Sequence, residues 1–451
     1  MNKDLTVGSP GRTLLAFSAP LLVSAAFQQF YNMADSIVAG KFVGKDAIAA
    51  IGASFPVTMI IMAIAVGLNT GCAVIISQLF GSKKINAMKS AVYTSLISAL
   101  VMAAALAAFG LVFSSFMLKA LNTPADIFEG AKTYLDIYIF GLFSLIMYNI
   151  SNGVFAALGD SRTPLYFLVC SSIGNVFLDI FMVVKLDMGI AGLAWATFIA
   201  QTIAAVLAVA VLMRRVNSFK TDDKPKAFSF GIFKRLMTVA VPSVLQQSFV
   251  SVGNLFIQAL VNSFGSDVIA GYSAAIKLNT FALVCITTLA SGVSSFSAQN
   301  YGAGRMDRVH QGFKSGLKMM FCVAVFTAVL YVAFAVPLMG LFVDLGETHV
   351  VHSGVMFTRI VSPFYIVVGV KLMSDSTLRG TGKMAAFMVS TFSDLILRVA
   401  LSYILVGFFD ETGIWLSWPF GWLVGAAVSL VFYKIYVYSD STGMKSDGIG
   451  V

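Results

Sequence analysis

Polar residues that could bind a cation interrupt the apolar segments in the first half of the chain. Asn175 and Asp179 lie four residues apart, so their side chains share one face of a helix. Asp35 lies on an earlier apolar segment and Thr197 on a later one. Two nearby carboxylates can share a proton, because each negative charge raises the pKa of the other. They can also bind Na⁺ together with amide and hydroxyl oxygens. We therefore predict that these four residues form a site for H⁺ or Na⁺.

The elements that must position these residues are membrane-spanning helices. Hydrophobic residues make up 58% of the chain and charged residues 11%, whereas a soluble domain carries roughly 25% charged residues. Each apolar segment reaches the ~20 residues that a helix needs to cross ~30 Å of hydrocarbon. The twelve predicted spans are 14–38, 47–79, 91–118, 134–158, 164–184, 189–213, 232–261, 268–298, 316–342, 355–378, 384–409 and 414–436.

The position of the four polar residues along these helices favours a functional role. At 1.5 Å per residue, they lie roughly 7 to 15 Å below the outer surface of the membrane. A carboxylate at that depth is unfavourable unless it is paired or faces water, so an ionisable residue there indicates an ion or substrate pathway. Asn and Thr also form hydrogen bonds between membrane helices, and that structural alternative stays open for Asn175 and Thr197.

The distribution of positive charge indicates a topology. The formal net charge is +9, and most Lys and Arg residues fall in alternate connections between the spans. Because cytoplasmic loops carry the excess of positive charge, both termini are expected in the cytoplasm. No continuous basic face is long enough to bind nucleic acid. We expect a multi-pass protein of the plasma (inner) membrane whose partner is the lipid bilayer.

Segments of the first half recur about 221 residues later. Gly44–Ala49 corresponds to Gly265–Ala270, and Gln78–Lys84 to Gln299–Arg305. Each repeat holds six spans, an even number, so the two bundles are parallel and related by an axis along the membrane normal. We predict an N-lobe over 1–215, a polar and mobile cytoplasmic linker over 216–230, and a C-lobe over 231–451. Two such bundles favour a transporter that opens to one side at a time, with a channel or scaffold as the alternative.

The ordered combination of these segments resembles the multidrug and toxic compound extrusion (MATE) family. The matching features are Asp35, Gln78–Lys84, Gln299–Arg305 and Gly153–Pro164. The resemblance implies V-shaped lobes that export organic, often cationic, compounds in exchange for H⁺ or Na⁺. A flippase for lipid-linked precursors is the alternative transport function. The resemblance also implies a transporter without a cofactor rather than an enzyme, and we expect a monomer.

The pattern is closer to the DinF-like branch of that family than to the NorM-like branch. The spacing of Asn175, Asp179 and Thr197 is similar to the N-lobe ion site of the DinF-like branch, which also implies roles for Asn152 and Tyr134. Acidic residues that the NorM-like branch carries in spans 7 and 10 correspond to Val250 and Val368 here.

Further polar residues in the spans have two interpretations. Amide and ammonium side chains on spans 1, 7 and 8 could line a substrate cleft, and these candidates are Gln28, Gln29, Gln246, Gln247, Asn254, Gln258 and Lys277. Lys277 could instead form an ion pair within the C-lobe. The i, i+4 spacing of Asp394 with Arg398, and of Lys371 with Asp375, predicts an ion pair within each helix.

No sequence motif indicates catalysis. The chain lacks GxxxxGK[ST], GxSxG and HExxH, so neither ATP hydrolysis nor serine- or zinc-dependent hydrolysis has a set of residues to perform it. Apart from a Na⁺ ion at the predicted coupling site, we expect no metal.

Overall fold

Helices form every regular element in the described part of the chain. A computed structural model describes residues 4–38, 42–43, 45–221 and 223–441, and the side chains in these ranges except those of 34–38, 45–48 and 441. The helices are α1 (Pro10–Val38), α2 (Lys45–Gly81), α3 (Ile85–Ala120), α4 (Ala125–Phe140), α5 (Leu142–Ala157), α6 (Arg162–Ile180), α7 (Gly189–Ser218), α8 (Phe230–Asn262), α9 (Ser266–Gly302), α10 (Met306–Ala333), α11 (Ala335–Met339), α12 (Thr348–Val361), α13 (Tyr365–Gly380), α14 (Met384–Phe409), α15 (Glu411–Tyr433) and α16 (Ser439–Ser441).

The predicted number of membrane spans is confirmed for the described residues. Eleven helical stretches are long and apolar enough to cross a membrane. The consecutive helices α4 and α5, which bend by 48° at Gly141, make a twelfth if they are taken as one span. Short π-helical turns extend α6 and α15, and a 3₁₀ turn joins α12 to α13.

The helices pack into two compact units. Unit 1 contains Val23–Gln247, and unit 2 contains Asp4–Leu22 together with the described residues from Ser248 onwards. The first part of α1 therefore packs in unit 2, and the first part of α8 packs in unit 1. These units describe packing, whereas the predicted lobes are halves of the sequence, so the lobe boundaries stay a prediction.

The segment before α1, Asp4–Ser9, belongs to unit 2 and is buried at Leu5 and Thr6, and we call it the N-terminal strap. Leu5 is 0% exposed, and its backbone N donates to Gln299 Oε1 over 2.9 Å. Arg308 donates to the carbonyl oxygens of Leu5 (3.2 Å) and Gly8 (2.8 Å) and to Asn300 Oδ1 (2.9 Å). These contacts explain why α10 begins at Met306, ten residues before the predicted apolar span that starts at Gly316.

The linker between the predicted lobes is anchored, contrary to our expectation of a mobile segment. The backbone N of Lys226 donates to Ser90 Oγ over 2.9 Å, and the backbone N of Ser229 donates to Thr94 Oγ1 over 3.1 Å. The ring of Phe219 packs edge-on against Phe80. The hydrogen-bond partners of the linker, Ser90 and Thr94, belong to α3. The composition of the linker alone therefore could not indicate these contacts.

The turn between α5 and α6 fixes the helices that carry the predicted ion site. Asp160 is 2% exposed, and its carboxylate accepts hydrogen bonds from the backbone N of Thr163 and from Thr163 Oγ1 at the start of α6. Arg215, on α7, forms an ion pair with the same carboxylate. Burial raises the pKa of Asp160, but the hydrogen bonds from Thr163 and Arg215 outweigh burial and hold the pKa below its usual value.

Replacement of Asp160 by Asn should destabilise unit 1 at neutral pH. A hydrogen bond to a charged group contributes about 1.5–3 kcal/mol, so we expect a loss of this size in the free energy of unfolding. Because the folded pKa is depressed, the contribution of the carboxylate is present above its unfolded pKa of about 3.9 and is lost as pH falls through the folded value. Thermal unfolding in detergent over a pH series measures both effects. Asp126→Asn, at an exposed carboxylate in the first turn of α4, is the matched control, and an equal loss in both variants would contradict the interpretation.

Replacement of Arg308 by Ala should release the N-terminal strap. The variant loses three charge-assisted hydrogen bonds, and we expect the free energy of unfolding to fall by about 3 kcal/mol or more. Arg305→Ala removes an exposed guanidinium that donates to the carbonyl oxygen of Thr6 over 3.3 Å and lies 3.7 Å from Asp307 Oδ2, so it should lower stability by less than about 1 kcal/mol. Limited proteolysis of the first residues, together with thermal unfolding, distinguishes the two variants. A strap that resists protease equally in both would show that Arg308 does not hold it.

Candidate functional site

Four helices of unit 1 surround a polar cavity of about 100 Å³. Its volume is enough for several water molecules, since one water needs about 10–15 Å³ measured in this way. The lining residues come from α1, α5, α6 and α7 and are Gln28, Tyr31, Tyr148, Leu168, Ser171, Ser172, Asn175, Thr197, Ala200, Gln201 and Ala204. Two of the four residues first predicted for the ion site, Asn175 and Thr197, therefore line one space.

The amide of Asn175 connects three helices at this cavity. The orientation that satisfies both ends of the amide places Nδ2 2.6 Å from Tyr31 Oη and 3.0 Å from Asp179 Oδ2. In this orientation Oδ1 lies 3.1 Å from the backbone N of Thr197. Tyr31 belongs to α1, Asn175 and Asp179 to α6, and Thr197 to α7. The buried amide of Asn175 therefore connects the carboxylate of Asp179 to α1.

Asp179 is the most deeply buried residue of this group, with 0% of its surface exposed. Asn175, one helical turn away, is 2% exposed. In an apolar environment a carboxylate is stable only if it is hydrogen bonded, paired with a cation or protonated. Carboxylate, amide and hydroxyl oxygens are hard ligands that suit a proton or a small alkali cation.

Tyr134 lies at a neighbouring, smaller cavity. This second space is about 20 Å³, close to the volume of one water, and Thr197 and Gln201 line it as well as the larger cavity. The ring of Tyr134 stacks on Tyr138 with centroids 6.4 Å apart. Thr197 thus lies between the predicted residues of α6 and the predicted residue of α4.

Two other predicted ion-site residues are not placed at the cavity. Asn152 is on α5, one turn from Tyr148, but it is not among the residues that line the larger space. Asp35 is on α1, and its side chain lies outside the described part of the structure. The prediction for Asp35 still rests on its depth along the first span and on the resemblance to the MATE family.

The substrate-cleft candidates lie in different surroundings. Gln28 lines the polar cavity and donates to Asn32 Oδ1 over 3.1 Å. Gln258 makes the same i, i+4 bond to Asn262 over 2.8 Å. Gln29, Gln246 and Gln247 are half-buried, and Asn254 is exposed. Lys277 is exposed, with its Nζ 5.4 Å from the ring centroid of Phe342, so a cation–π contact replaces the ion pair that we considered.

One of the two ion pairs predicted within helices is present. Lys371 Nζ lies 3.0 Å from Asp375 Oδ2 on α13, as predicted. The predicted Asp394–Arg398 pair is wrong, because Asp394 pairs with Lys371 of the neighbouring helix at 3.4 Å. The guanidinium of Arg398 lies over the ring of Trp418 at 4.4 Å instead. Helical spacing alone did not reveal this competing partner across the helix interface.

Sequence reasoning missed five polar residues of the cavity that helical periodicity could have found. Each lies three or four residues from a predicted site residue, on the same face of its helix. They are Tyr31, Tyr148, Ser171, Ser172 and Gln201. A hydroxyl or a single Gln inside an apolar segment is a weaker sign of an ion site than a carboxylate, because such groups also form hydrogen bonds between membrane helices.

The MatE family model matches the chain twice, over residues 20–181 and again over residues 242–404. The chain belongs to the MATE family. The two matches begin 222 residues apart, which is the offset of the repeat found in the sequence. MATE proteins are transporters, so the prediction that the chain is not an enzyme is confirmed.

Relatives and solved structures agree with the MATE assignment over nearly the whole chain. The probable multidrug resistance protein YpnP of Bacillus subtilis is 27% identical over 433 residues, 96% of each chain. The FAD transporter of Shewanella oneidensis is 27% identical over 343 residues, 74% of each chain. An outward-facing structure of a multidrug resistance MATE family transporter of the MOP superfamily has a TM-score of 0.90 at 22% identity, with 98% of this chain and 99% of that chain covered. The structural likeness establishes the fold of a multi-pass MATE transporter.

Replacement of Asn175 by Ala should destabilise unit 1 of this MATE protein. The variant removes the donor to Asp179 Oδ2 and leaves a buried carboxylate oxygen with one bond fewer, so we expect the free energy of unfolding to fall by about 1–3 kcal/mol. Gln28→Ala is the control at the same cavity, because the amide of Gln28 bonds within its own helix and should matter by about 0.5 kcal/mol or less. Thermal unfolding of both variants in the same detergent makes the comparison. Equal stability of the two would mean that the Asn175 network does not hold the site.

Proposed function

We propose that this MATE protein is a secondary antiporter that exports organic, cationic compounds in exchange for H⁺ or Na⁺. The observation that carries the proposal is the fully buried carboxylate of Asp179, within hydrogen-bond reach of Asn175 beside the polar cavity of unit 1. Asp35, Thr197, Asn152 and Tyr134 complete the proposed site. The coupling ion is the only cofactor that this function needs.

The size of the cavity favours an ion over a drug as its occupant. Sites for drug-sized ligands measure about 300–1,000 Å³, whereas this cavity has about 100 Å³. The space fits a cation with a few waters. The exported compound then binds elsewhere, and the amides of Gln29, Gln246, Gln247, Asn254 and Gln258, with Lys277, remain the proposed contacts, joined by Gln28 at the edge of the cavity.

Coupling between ion and drug follows from the charge of the site. A proton or Na⁺ at Asp179 neutralises the carboxylate and weakens its bond with the Asn175 amide. Because the same amide lies 2.6 Å from Tyr31 Oη, α1 is then free to repack. A cationic compound that the negative site attracts would lose that attraction when the ion binds, so ion and compound compete. This mechanism requires only that the ion and the compound bind different conformations of the protein more tightly.

The absence of acidic residues at two positions favours a DinF-like rather than a NorM-like coupling site. Val250 and Val368 occupy positions where the resemblance to the NorM-like branch would require carboxylates. In this proposal the protein acts as a monomer in the plasma (inner) membrane, with both termini in the cytoplasm and with parallel lobes over 1–215 and 231–451.

Replacement of Asp179 by Asn should abolish ion-driven transport without preventing folding. We expect ethidium uptake into inverted proteoliposomes, driven by an imposed Na⁺ or H⁺ gradient, to fall roughly tenfold or more, because the variant cannot exchange charge with the ion. The control is Asp136→Asn, which changes a half-buried carboxylate of the same unit that pairs with Lys132 at 3.5 Å. That control should transport at a rate close to the parent.

Each gradient is imposed alone, so that the parent protein reveals which ion drives uptake. Gradient-driven transport by Asp179→Asn at the parent rate would overturn the proposal. Translocation of a labelled lipid without ion-dependent ethidium uptake would support a flippase instead. Flux that does not saturate with substrate would support a channel.

A further inference from the structure

Unit 2 contains a buried charge cluster that the proposed coupling mechanism does not use. Lys371 and Asp375 on α13 and Asp394 on α14 form the cluster. The exposed fractions of these side chains are 5%, 4% and 12%. Ionisable residues buried in membrane helices are rare and mark functional positions by default. The cluster therefore needs an explanation of its own.

The ammonium group of Lys371 occupies the position of a bound cation. Its Nζ lies 3.0 Å from Asp375 Oδ2 and 3.4 Å from Asp394 Oδ2, so two carboxylates from two helices approach one positive charge. Ser429, on α15, donates to Asp375 Oδ1 over 2.6 Å. Two carboxylates and a hydroxyl are oxygen groups of the kind that bind a small alkali cation. Here the chain supplies the cation itself.

The third helix is shaped to enclose this ammonium group. A Cβ atom added at Gly425 would lie 2.7 Å from Lys371 Cε and 2.8 Å from Asp394 Cβ. A Cβ atom added at Gly421 would lie 2.8 Å from Asp394 Oδ1. These contacts are shorter than real Cβ atoms make, so a side chain at either position would force its neighbours to shift. The backbone of α15 thus closes the cluster against α13 and α14 and leaves the space that the lysine side chain fills.

The other charged groups near the cluster do not replace Lys371. Arg398, on α14, lies over Trp418, and its Nε has no hydrogen-bond partner among the described residues. Arg379, on α13, bonds to Ser294 Oγ and Ser376 Oγ at 3.5 and 3.4 Å. Asp394 Oδ1 is also without a hydrogen-bond partner in the described part of the chain. Without Lys371, two buried carboxylates would face each other, which is unfavourable unless another cation enters.

We propose that Lys371 is a built-in cation that prevents unit 2 from binding a coupling ion, and that its removal converts Asp375 and Asp394 into a Na⁺ site. The lysine then determines that the transporter responds to ions through unit 1 alone. This inference rests on the proposed function for its meaning in transport, but the Na⁺ site that it predicts can be measured independently.

The test compares Lys371→Ala with Lys371→Arg, each made in the Asp179→Asn background to silence the site proposed in unit 1. Na⁺ is the probe, titrated as chloride against N-methylglucamine at constant ionic strength, and thermal unfolding of the full chain in detergent is the readout. Lys371→Ala should unfold at a temperature that rises with Na⁺ and saturates, by about 2–4 °C or more. Lys371→Arg keeps the positive charge, so its unfolding temperature should not depend on Na⁺.

One further variant and one further measurement keep the test decisive. Adding Asp394→Asn to Lys371→Ala should remove the Na⁺ response, because one carboxylate is lost. If Lys371→Ala does not fold in the absence of salt, purification in Na⁺ but not in N-methylglucamine would be the expected result, and failure in both would overturn the proposal. A Lys371→Ala protein that is stabilised by acid but not by Na⁺ would also overturn it, since any two buried carboxylates take up protons.

The failure of this inference is distinguishable from the failure of the proposed function. A Na⁺ or H⁺ response that persists in Asp179→Asn with Lys371 intact would contradict the proposed coupling site. The difference between the Ala and Arg variants at position 371 would still test the built-in cation. Conversely, identical Na⁺ titrations of these two variants would reject the built-in cation and leave the role of Asp179 untouched.

Discussion

A buried negative charge within apolar helices must be compensated, and this constraint governs both units of the protein. A carboxylate at that depth needs a proton, a cation or several hydrogen-bond donors. Unit 2 compensates Asp375 and Asp394 with the ammonium group of Lys371. At Asp179, the compensation by protein groups that we have described is the amide of Asn175. An amide, unlike an ammonium group, carries no charge.

The rest of unit 1 serves to keep that arrangement in place. Asp160 holds the start of α6 and, through Arg215, holds α7 beside it. Thr202 on α7 contacts Ser144 on α5 through their hydroxyls at 2.7 Å. The helices that carry Asn175 and Thr197 are therefore tied together by polar contacts away from the cavity. Tyr31 on α1 makes a polar contact with Asn175 over 2.6 Å, which joins α1 to this set of helices.

Much of the fold and part of the site could be predicted from the sequence, because both follow from local patterns. Span number comes from segment length and hydropathy, and the pairing of Asn175 with Asp179 comes from helical periodicity. Partners in other elements could not be predicted in this way. Asp394 has a cationic residue one turn away on its own helix, Arg398, yet it pairs with Lys371. The spacing of these residues in the sequence does not indicate which of the two cations lies closer to Asp394. For the same reason the anchoring of the linker on Ser90 and Thr94 was missed.

Infrared difference spectroscopy of the carboxyl groups tests the central claim most directly. The spectrum of the parent protein is compared between ion-free and Na⁺-loaded conditions, and between mildly alkaline and mildly acidic pH, with isotope-labelled aspartate to assign the bands. The account predicts a carboxyl band of a buried aspartate that changes on ion or proton binding and is absent from Asp179→Asn, and it predicts no change from Asp375 or Asp394. A carboxyl change that survives Asp179→Asn and disappears in Asp394→Asn would place the exchangeable charge in unit 2 and contradict the account.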